Sequence, residues 1–387
     1  MNIFLTGSTG FLGGELLVSL SKRKDVDKIY CFIRPNSEQH TLARLRKVFS
    51  VHDDFLDENK IIPIAGNLFD PHLTESLQAN KMLNDTDVII HSAANTSFSR
   101  IYDDMLEQVN IAGFEKLLLW AKQLPHLQTF LYIGTATICG TDITHRSVRE
   151  EESPNIQAQH LVRYTYTKMQ GELLLDKHIP QEKILIARPS IIMGDSRDLM
   201  PRSPVILWAV ATINQLRLIP VNEHAMLDMI PVDYAAESII QLLLAKRNHK
   251  VYHISSGLQG ATSAHKLSIS LAEYFHELPP FHFTHKSLLS QIKLWAKSRL
   301  KPDSELFNFG LYLDYWNEEF TDPGAVRILL AGLAPYLEFM ELGQAFDNTR
   351  LLNDVPCVKQ SIPADIYIKK CMDFISKINI LDGALDP

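Results

Sequence analysis

The chain has 387 residues, of which 46% are hydrophobic and 21% charged, and a formal net charge of −7. That size exceeds one average domain, so a large domain with a smaller one is expected, and the composition is that of a folded protein rather than a disordered or fibrous one. The acidic balance argues against nonspecific nucleic-acid binding, and four scattered cysteines (Cys31, Cys139, Cys357, Cys371) without a CxxC pair argue against a disulfide frame or zinc site.

The chain opens on "NIFL", a short buried strand, followed by "TGSTGFLGGELL" (6–17). Glycines at Gly7, Gly10 and Gly13 are followed by Phe11, Leu12, Leu16, Leu17 and Leu20 at helical spacing. A strand, a glycine turn and a helix aim backbone N–H groups and a helix dipole at a phosphate. Gly7 permits the tight turn, Gly10 a close approach to a pyrophosphate, and Gly13 the packing of helix on strand. Ser8 and Thr9 lie in the same turn. With a strand read from Asn2, no secretory leader is expected.

Next come "KIYCFIRP" (28–35), a strand stopped by Pro35, and a basic helix, "ARLRKVF". "KIIPIAGNL" (60–68) and "TDVIIHSAA" (86–94) read as the third and fourth strands, and 103–124 as one long amphipathic helix. "LQTFLYIGTA" (127–136) and "KILIARPSII" (183–192) are two more strands with a helix between them. Apolar strands alternating with helices predict a doubly wound α/β fold, a parallel sheet covered on both faces. The expected Rossmann-type domain spans 1–194 and returns at about 229–257. Residues 195–228 and 258–387, rich in Pro and aromatics, are expected to form a smaller, mostly helical substrate-binding cap. The runs "VILWAVATI" (205–213) and "ILLAGLAPYL" (328–337) are too short to span a bilayer, so a cytoplasmic protein is expected.

Two further pieces carry chemistry. In "RYTYTKMQGELLL" (163–175), Tyr164 and Lys168 are four apart and share one helix face. An ammonium beside a phenol favours the phenolate, so Lys168 is expected to draw Tyr164 towards its working range, and the same lysine can bond a ribose. Thr135, at the carboxyl end of the fifth strand, faces the ligand crevice of a parallel sheet and can donate to a substrate oxygen.

With the glycine turn, Thr135 and the Tyr164–Lys168 pair in that order, the chain resembles the extended short-chain dehydrogenase/reductase superfamily over about residues 1–257. The resemblance places Asn67 and Leu68 of "GNL" beside the adenine, with Asn67 where the family has Asp. It puts Ser92, Ala93 and Ala94 of "HSAA" at the fourth-strand turn, and Pro189, Ser190 and Ile191 of "ARPSIIMG" near the nicotinamide. It makes Asn110 of "VNIAG" a residue that bends its helix and holds a proton-relaying water for Lys168. The second strand ends in Arg34 with no acid there to hold a ribose hydroxyl, so Arg34, assisted by Arg44 or Lys47, implies NADPH.

Within the superfamily, "TGSTGFLGGELL", "FIRP", "HSAANTSF" and "RPSIIMG" are most similar to the thioester-reductase and fatty-acyl-CoA-reductase branch. "FDNTRLLNDVP" (346–356) resembles a C-terminal signature of acyl reductases. That branch implies direct hydride transfer to an acyl thioester on CoA or an acyl carrier protein, with Tyr164 and Thr135 holding the oxyanion. It gives an aldehyde, and in some members the alcohol. Rival readings are a sterol or small-carbonyl reductase, a nucleotide-sugar epimerase or dehydratase, and a non-catalytic NADPH-binding protein. "TATICG" lacks the acidic pair of the sugar dehydratases. Cys139 is read as a small buried hydrophobe rather than an acyl carrier, and the histidines of "RNHKVYHI" are too loosely placed to bind a metal. "SLLSQIKLWAKSRLK" (287–301) joins an apolar stripe to four cations and no acid. It is read as a solvated helix of the cap, with docking of an acidic carrier protein or CoA phosphates, or peripheral contact with an anionic membrane, as the alternatives.

Overall fold

The computed structural model describes residues 1–34, 38–152, 154–197, 205–320 and 323–385. Its centre is a seven-stranded, wholly parallel sheet. The strands are β1 (Asn2–Thr6), β2 (Lys28–Ile33), β3 (Ile61–Ala65), β4 (Val88–His91), β5 (Thr129–Ile133), β6 (Ile184–Pro189) and β7 (Val251–Ile254). Their order is β7-β6-β5-β4-β1-β2-β3, with the reversal of direction falling between β1 and β4. Ligands bind at such a reversal, outside the carboxyl ends of the strands. The expected α/β fold is what forms, and the 251–257 segment does return to the sheet, pairing Val251 to Ile254 with Ile186 to Pro189. The stop at Pro35 lies outside the described residues.

Both sheet faces are covered, which is why the strands are apolar throughout. One face buries Ile3, Leu5, Cys31, Ile90 and Leu131 against α1 (Phe11–Ser21), α2 (Glu38–Ser50) and a later helix at Val232–Leu244. The other buries Phe4, Tyr30, Ile89, Phe130 and Tyr132 against α3 (Leu73–Ala79) and the helix region after β4. That region was expected to be one helix. It is α4 (Asp103–Glu107), a π-helical turn (Gln108–Gly113) and α5 (Phe114–Ala121). The widened turn lets the chain bend at Asn110 and Gly113, where a Cβ on Gly113 would come within 2.6 Å of the Leu68 carbonyl oxygen. The helix before β6, α6 (Arg163–His178), carries "YTYTK".

The cap has a separate core. Here α7 (Val205–Leu216), α8 (Ala264–Tyr274), α9 (Leu288–Trp295), α10 (Gly310–Glu319) and α11 (Pro323–Leu342) pack around Trp208, Leu267, Leu288, Trp316, Leu329 and Leu333. The apolar side of the basic segment belongs to this core: Leu288, Leu289 and Ile292 are buried, while Lys297, Arg299 and Lys301 are exposed. Among the described residues, no helix is long and apolar enough to cross a membrane.

The expected cap boundary needs one correction. Residues 345–358 leave the cap and rejoin the first domain. Ala345–Phe346 pairs in parallel with Ser147–Val148, and Leu351, Val355 and Val358 are buried in the core under β7. Edge strand β7 would otherwise leave that apolar flank uncovered. Glu150 (2% exposed) fastens the return by accepting the backbone N–H groups of His253 at 3.0 Å and Arg350 at 2.6 Å.

Candidate functional site

At the carboxyl end of the sheet lies a cavity of about 780 Å³, running from the glycine turn to the cap helices. Its first wall is the turn after β1. Gly7 has φ +76°, and a Cβ there would lie 2.7 Å from the Ala93 nitrogen, so the turn rests directly on the turn after β4. A Cβ on Gly13 would collide with the Gly7 carbonyl, which explains why α1 sits so close to β1. Gly10 is the N-cap of α1 and offers no side chain, leaving the helix N-terminus open to the cavity beside Phe11 and Leu12. A diphosphate is the group such a cradle suits, and these residues therefore fit a dinucleotide.

Thr9, Arg34, Arg44, Asn67, Leu68, Ser92, Ala93, Ala94, Pro189, Ser190 and Ile191 all line the same cavity, as the sequence led one to expect. Arg44 donates to Thr9 Oγ1 at 2.6 Å and to the Arg34 carbonyl at 3.2 Å. Burial and the neighbouring Arg34 charge both lower its pKa. Two like charges therefore face the cavity beside the glycine turn. Asn67 accepts from the Phe69 N–H at 3.1 Å and shapes the turn there.

Ser8 departs from expectation. It is 1% exposed and absent from the cavity wall, because the turn aims it into the sheet side. Asn110 donates from its amide to the Asn95 carbonyl (2.8 Å) and Thr167 Oγ1 (2.9 Å) and accepts from the Asn95 N–H (2.8 Å). It lies outside the cavity wall, ties the turn after β4 to α6, and sits in the π turn where its helix bends.

Thr135, Tyr164 and Lys168 line the same cavity. Thr135 Oγ1 lies 2.9 Å from Thr137 Oγ1 and is the N-cap of the short turn that follows β5. Lys168 (3% exposed) donates to the Ile133 carbonyl at 2.7 Å and sits 5.0 Å above the Tyr132 ring. Its burial pulls the amine down to about 7, opposed by the charge of Glu172. Tyr164 moves the opposite way from expectation: burial raises its phenol above the ordinary range. Desolvation disfavours the charged form of both groups. Cys139 lies outside the cavity, and burial raises its thiol to about 12, as suits a packing residue.

The far wall was not read from the sequence. Ile206, Ala209, Val210 and Ile213 of α7, Tyr336, Phe339 and Met340 of α11, with Met229 and Leu267, make that end apolar. Phe98 joins it to the centre, its ring 6.2 Å from Tyr164, 5.1 Å from Tyr336 and 5.3 Å from Phe339. Thr137 and Phe32 are further wall residues the sequence did not single out. A signal existed: "VILWAVATI" has its four wall residues at i, i+3, i+4 and i+7, one helix face.

Fold and site together define an extended short-chain dehydrogenase/reductase. The chain belongs to the male sterility protein family, whose NAD-binding model matches residues 5–239. Fatty acyl-CoA reductase 2 of Homo sapiens is 28% identical over 350 residues, covering 75% of this chain and 66% of that protein. A linear gramicidin synthase from Brevibacillus parabrevis is 31% identical over 254 residues, 63% of this chain and 5% of that protein. The chain thus spans 66% or less of these relatives' length. Among solved structures, the terminal R domain of the myxalamid PKS-NRPS pathway matches with a TM-score of 0.72 at 21% identity, covering 97% of this chain and 90% of that one. UDP-glucuronic acid 4-epimerase from Bacillus cereus, in complex with NAD, matches at 0.64 and 17% identity, covering 97% and 99%.

Proposed function

We propose that the chain is an NADPH-dependent reductase that converts an acyl thioester, on CoA or a carrier protein, to the aldehyde. The observation that carries the reading is one cavity with two chemistries. A glycine cradle and the guanidiniums of Arg34 and Arg44 lie at one end, an apolar wall at the other, and Thr135, Tyr164 and Lys168 between them. The fatty acyl-CoA reductase relatives support a thioester substrate. The paired charges of Arg34 and Arg44 support a 2′-phosphate, which a guanidinium binds and a carboxylate repels. A nucleotide sugar is disfavoured, because its hydroxyls would be left unpaired against the apolar wall.

The turn at Gly7 to Gly13 would hold the diphosphate, and Arg34 and Arg44 the 2′-phosphate. Bound there, the reduced nicotinamide supplies a hydride to the thioester carbonyl carbon. Thr135 donates a hydrogen bond to the carbonyl oxygen as it gains charge. Tyr164, kept protonated by its burial, is a second donor and gives its proton to that oxygen. The carbon–sulfur bond then breaks, the oxygen's proton passes to the departing sulfur, and the aldehyde and thiol are released. Lys168, whose amine sits near neutrality, returns a proton to Tyr164.

The test is NADPH oxidation with a panel of acyl-CoA and carrier-bound thioesters, with products trapped to separate aldehyde from alcohol. Wild-type turnover with thioesters and its loss in Tyr164→Phe, with NADPH affinity held within a few-fold, are expected. Turnover of a sugar nucleotide and none of any thioester overturns the reading.

A further inference from the structure

Directly behind the reaction centre lies a buried ion pair, neither residue of which lines the cavity. Arg188 of β6 donates from Nε to Glu172 Oε1 at 2.9 Å and from Nη2 to Oε2 at 2.7 Å. Both residues are 3% exposed. Glu172 stands one helical turn beyond Lys168 on α6, and Gly134 lies against it: a Cβ there would sit 3.0 Å from Oε1 and 3.5 Å from Arg188 Cγ. Gly134 is the residue between Ile133, whose carbonyl holds Lys168, and Thr135. The pair therefore joins the elements that carry Thr135, Tyr164 with Lys168, and Pro189 with Ser190.

Stability alone is a poor reason for such a pair, since burying two charges costs several kcal/mol per ion and apolar residues of similar volume often serve as well. What a charge does there that a leucine cannot is act on its neighbours. The groups facing Lys168 are Tyr164 and Glu172 of α6, the Tyr132 ring of β5 and His91 of β4, with Arg188 of β6 behind Glu172. His91 is driven neutral by burial and by the Lys168 charge. Both tyrosines resist ionisation. The charge that favours an ammonium at Lys168 is that of Glu172.

We propose that Glu172, clamped by Arg188 beneath Gly134, is a positioning residue that supplies the buried negative charge holding the Lys168 amine in its protonated form. This rests on the reductase reading, in which Lys168 returns the proton that Tyr164 gives up. In that cycle one N–H bond of the ammonium breaks as the Tyr164 O–H forms, and solvent restores the proton to the amine.

The experiment compares wild type, Glu172→Gln and the neutral pair Glu172→Gln/Arg188→Gln. Trace acetylation of Lys168 across pH, read by mass spectrometry, gives the amine's midpoint without requiring turnover. Thermal unfolding and the pH profile of kcat/KM are measured beside it. Loss of a close opposite charge is expected to lower the Lys168 midpoint by about one unit in both variants, moving the alkaline limb of kcat/KM down with it. The neutral pair should regain much of the Tm that Glu172→Gln loses, because it leaves no unpaired buried cation. A Lys168 midpoint unchanged in both variants, or one that returns to the wild-type value together with Tm in the neutral pair, overturns the proposal. An absence of thioester turnover in the wild type would count against the reductase reading alone, since the acetylation midpoint still decides the role of Glu172.

Discussion

Tyr164 and Lys168 show where reading residues from sequence succeeds and where it stops. Spacing alone puts them on one helix face, and with Thr135 they line the cavity. Their proton affinities depend on burial, which spacing does not encode, so the phenol is raised rather than lowered. Ser8 was misplaced for a similar reason: motif position names a residue, and the burial of its side chain decides whether a ligand can reach it. Arg34 is the clearer case, an exposed cation with Arg44 at its back. Arg34→Ala should weaken NADPH roughly ten- to a hundredfold, the worth of a charge-assisted contact, and NADH hardly at all. Titration of both cofactors into wild type and variant checks this, and equal losses would make Arg34 structural. Cys139→Ser should retain most activity, with no acyl adduct seen by mass spectrometry, since its thiol is held up at about 12 and lies off the cavity.

At the scale of elements, every strand of the sheet was legible, because strands covered on both faces must be apolar runs. Two features were not. The π turn at Gln108–Gly113 leaves the helical pattern almost unaltered, since one extra residue in a turn only rotates the apolar stripe. The return of 345–358 to the first domain depends on a long-range contact, the buried Glu150 between β7 and the segment after Phe346. Burial pushes that carboxyl up to about 7, with Asp347 adding to it and its two backbone donors opposing. The folded value lies above the unfolded one, so the contribution is full below about pH 4.5 and is lost as pH rises through about 7. Glu150→Gln removes the titration but leaves one backbone donor less well met. The variant should be less stable than wild type at pH 5, with the gap closing by on the order of 2–3 kcal/mol by pH 8. Denaturant unfolding across pH measures it, and a gap constant with pH would mean Glu150 stays ionised throughout.

The whole molecule places a polar cradle built by the sheet against an apolar wall built by the cap, and the cavity lies where the two cores meet. The wall was hidden in the sequence because residues lining an apolar cavity have the same character as residues filling a core. Only packing separates Ala209, which borders the cavity, from Leu207, which fills the cap interior. Ala209 is the informative position, a small residue on the cavity face of α7 among Ile206, Val210 and Ile213. In the proposed reaction a thioester's reactive carbon must sit by Tyr164 while its apolar tail lies along this wall. Ala209→Phe places a ring where that tail would run and leaves Thr135, Tyr164 and Lys168 untouched. Turnover of long-chain thioesters should fall at least tenfold in kcat/KM, mostly through KM, because lost tail contact removes binding shared by ground and transition states. Short-chain thioesters should react as in the wild type, and that arm also shows that the variant is folded and binds cofactor. A uniform loss across chain lengths would place the tail elsewhere, and an unchanged profile would leave the apolar wall as packing between the two domains.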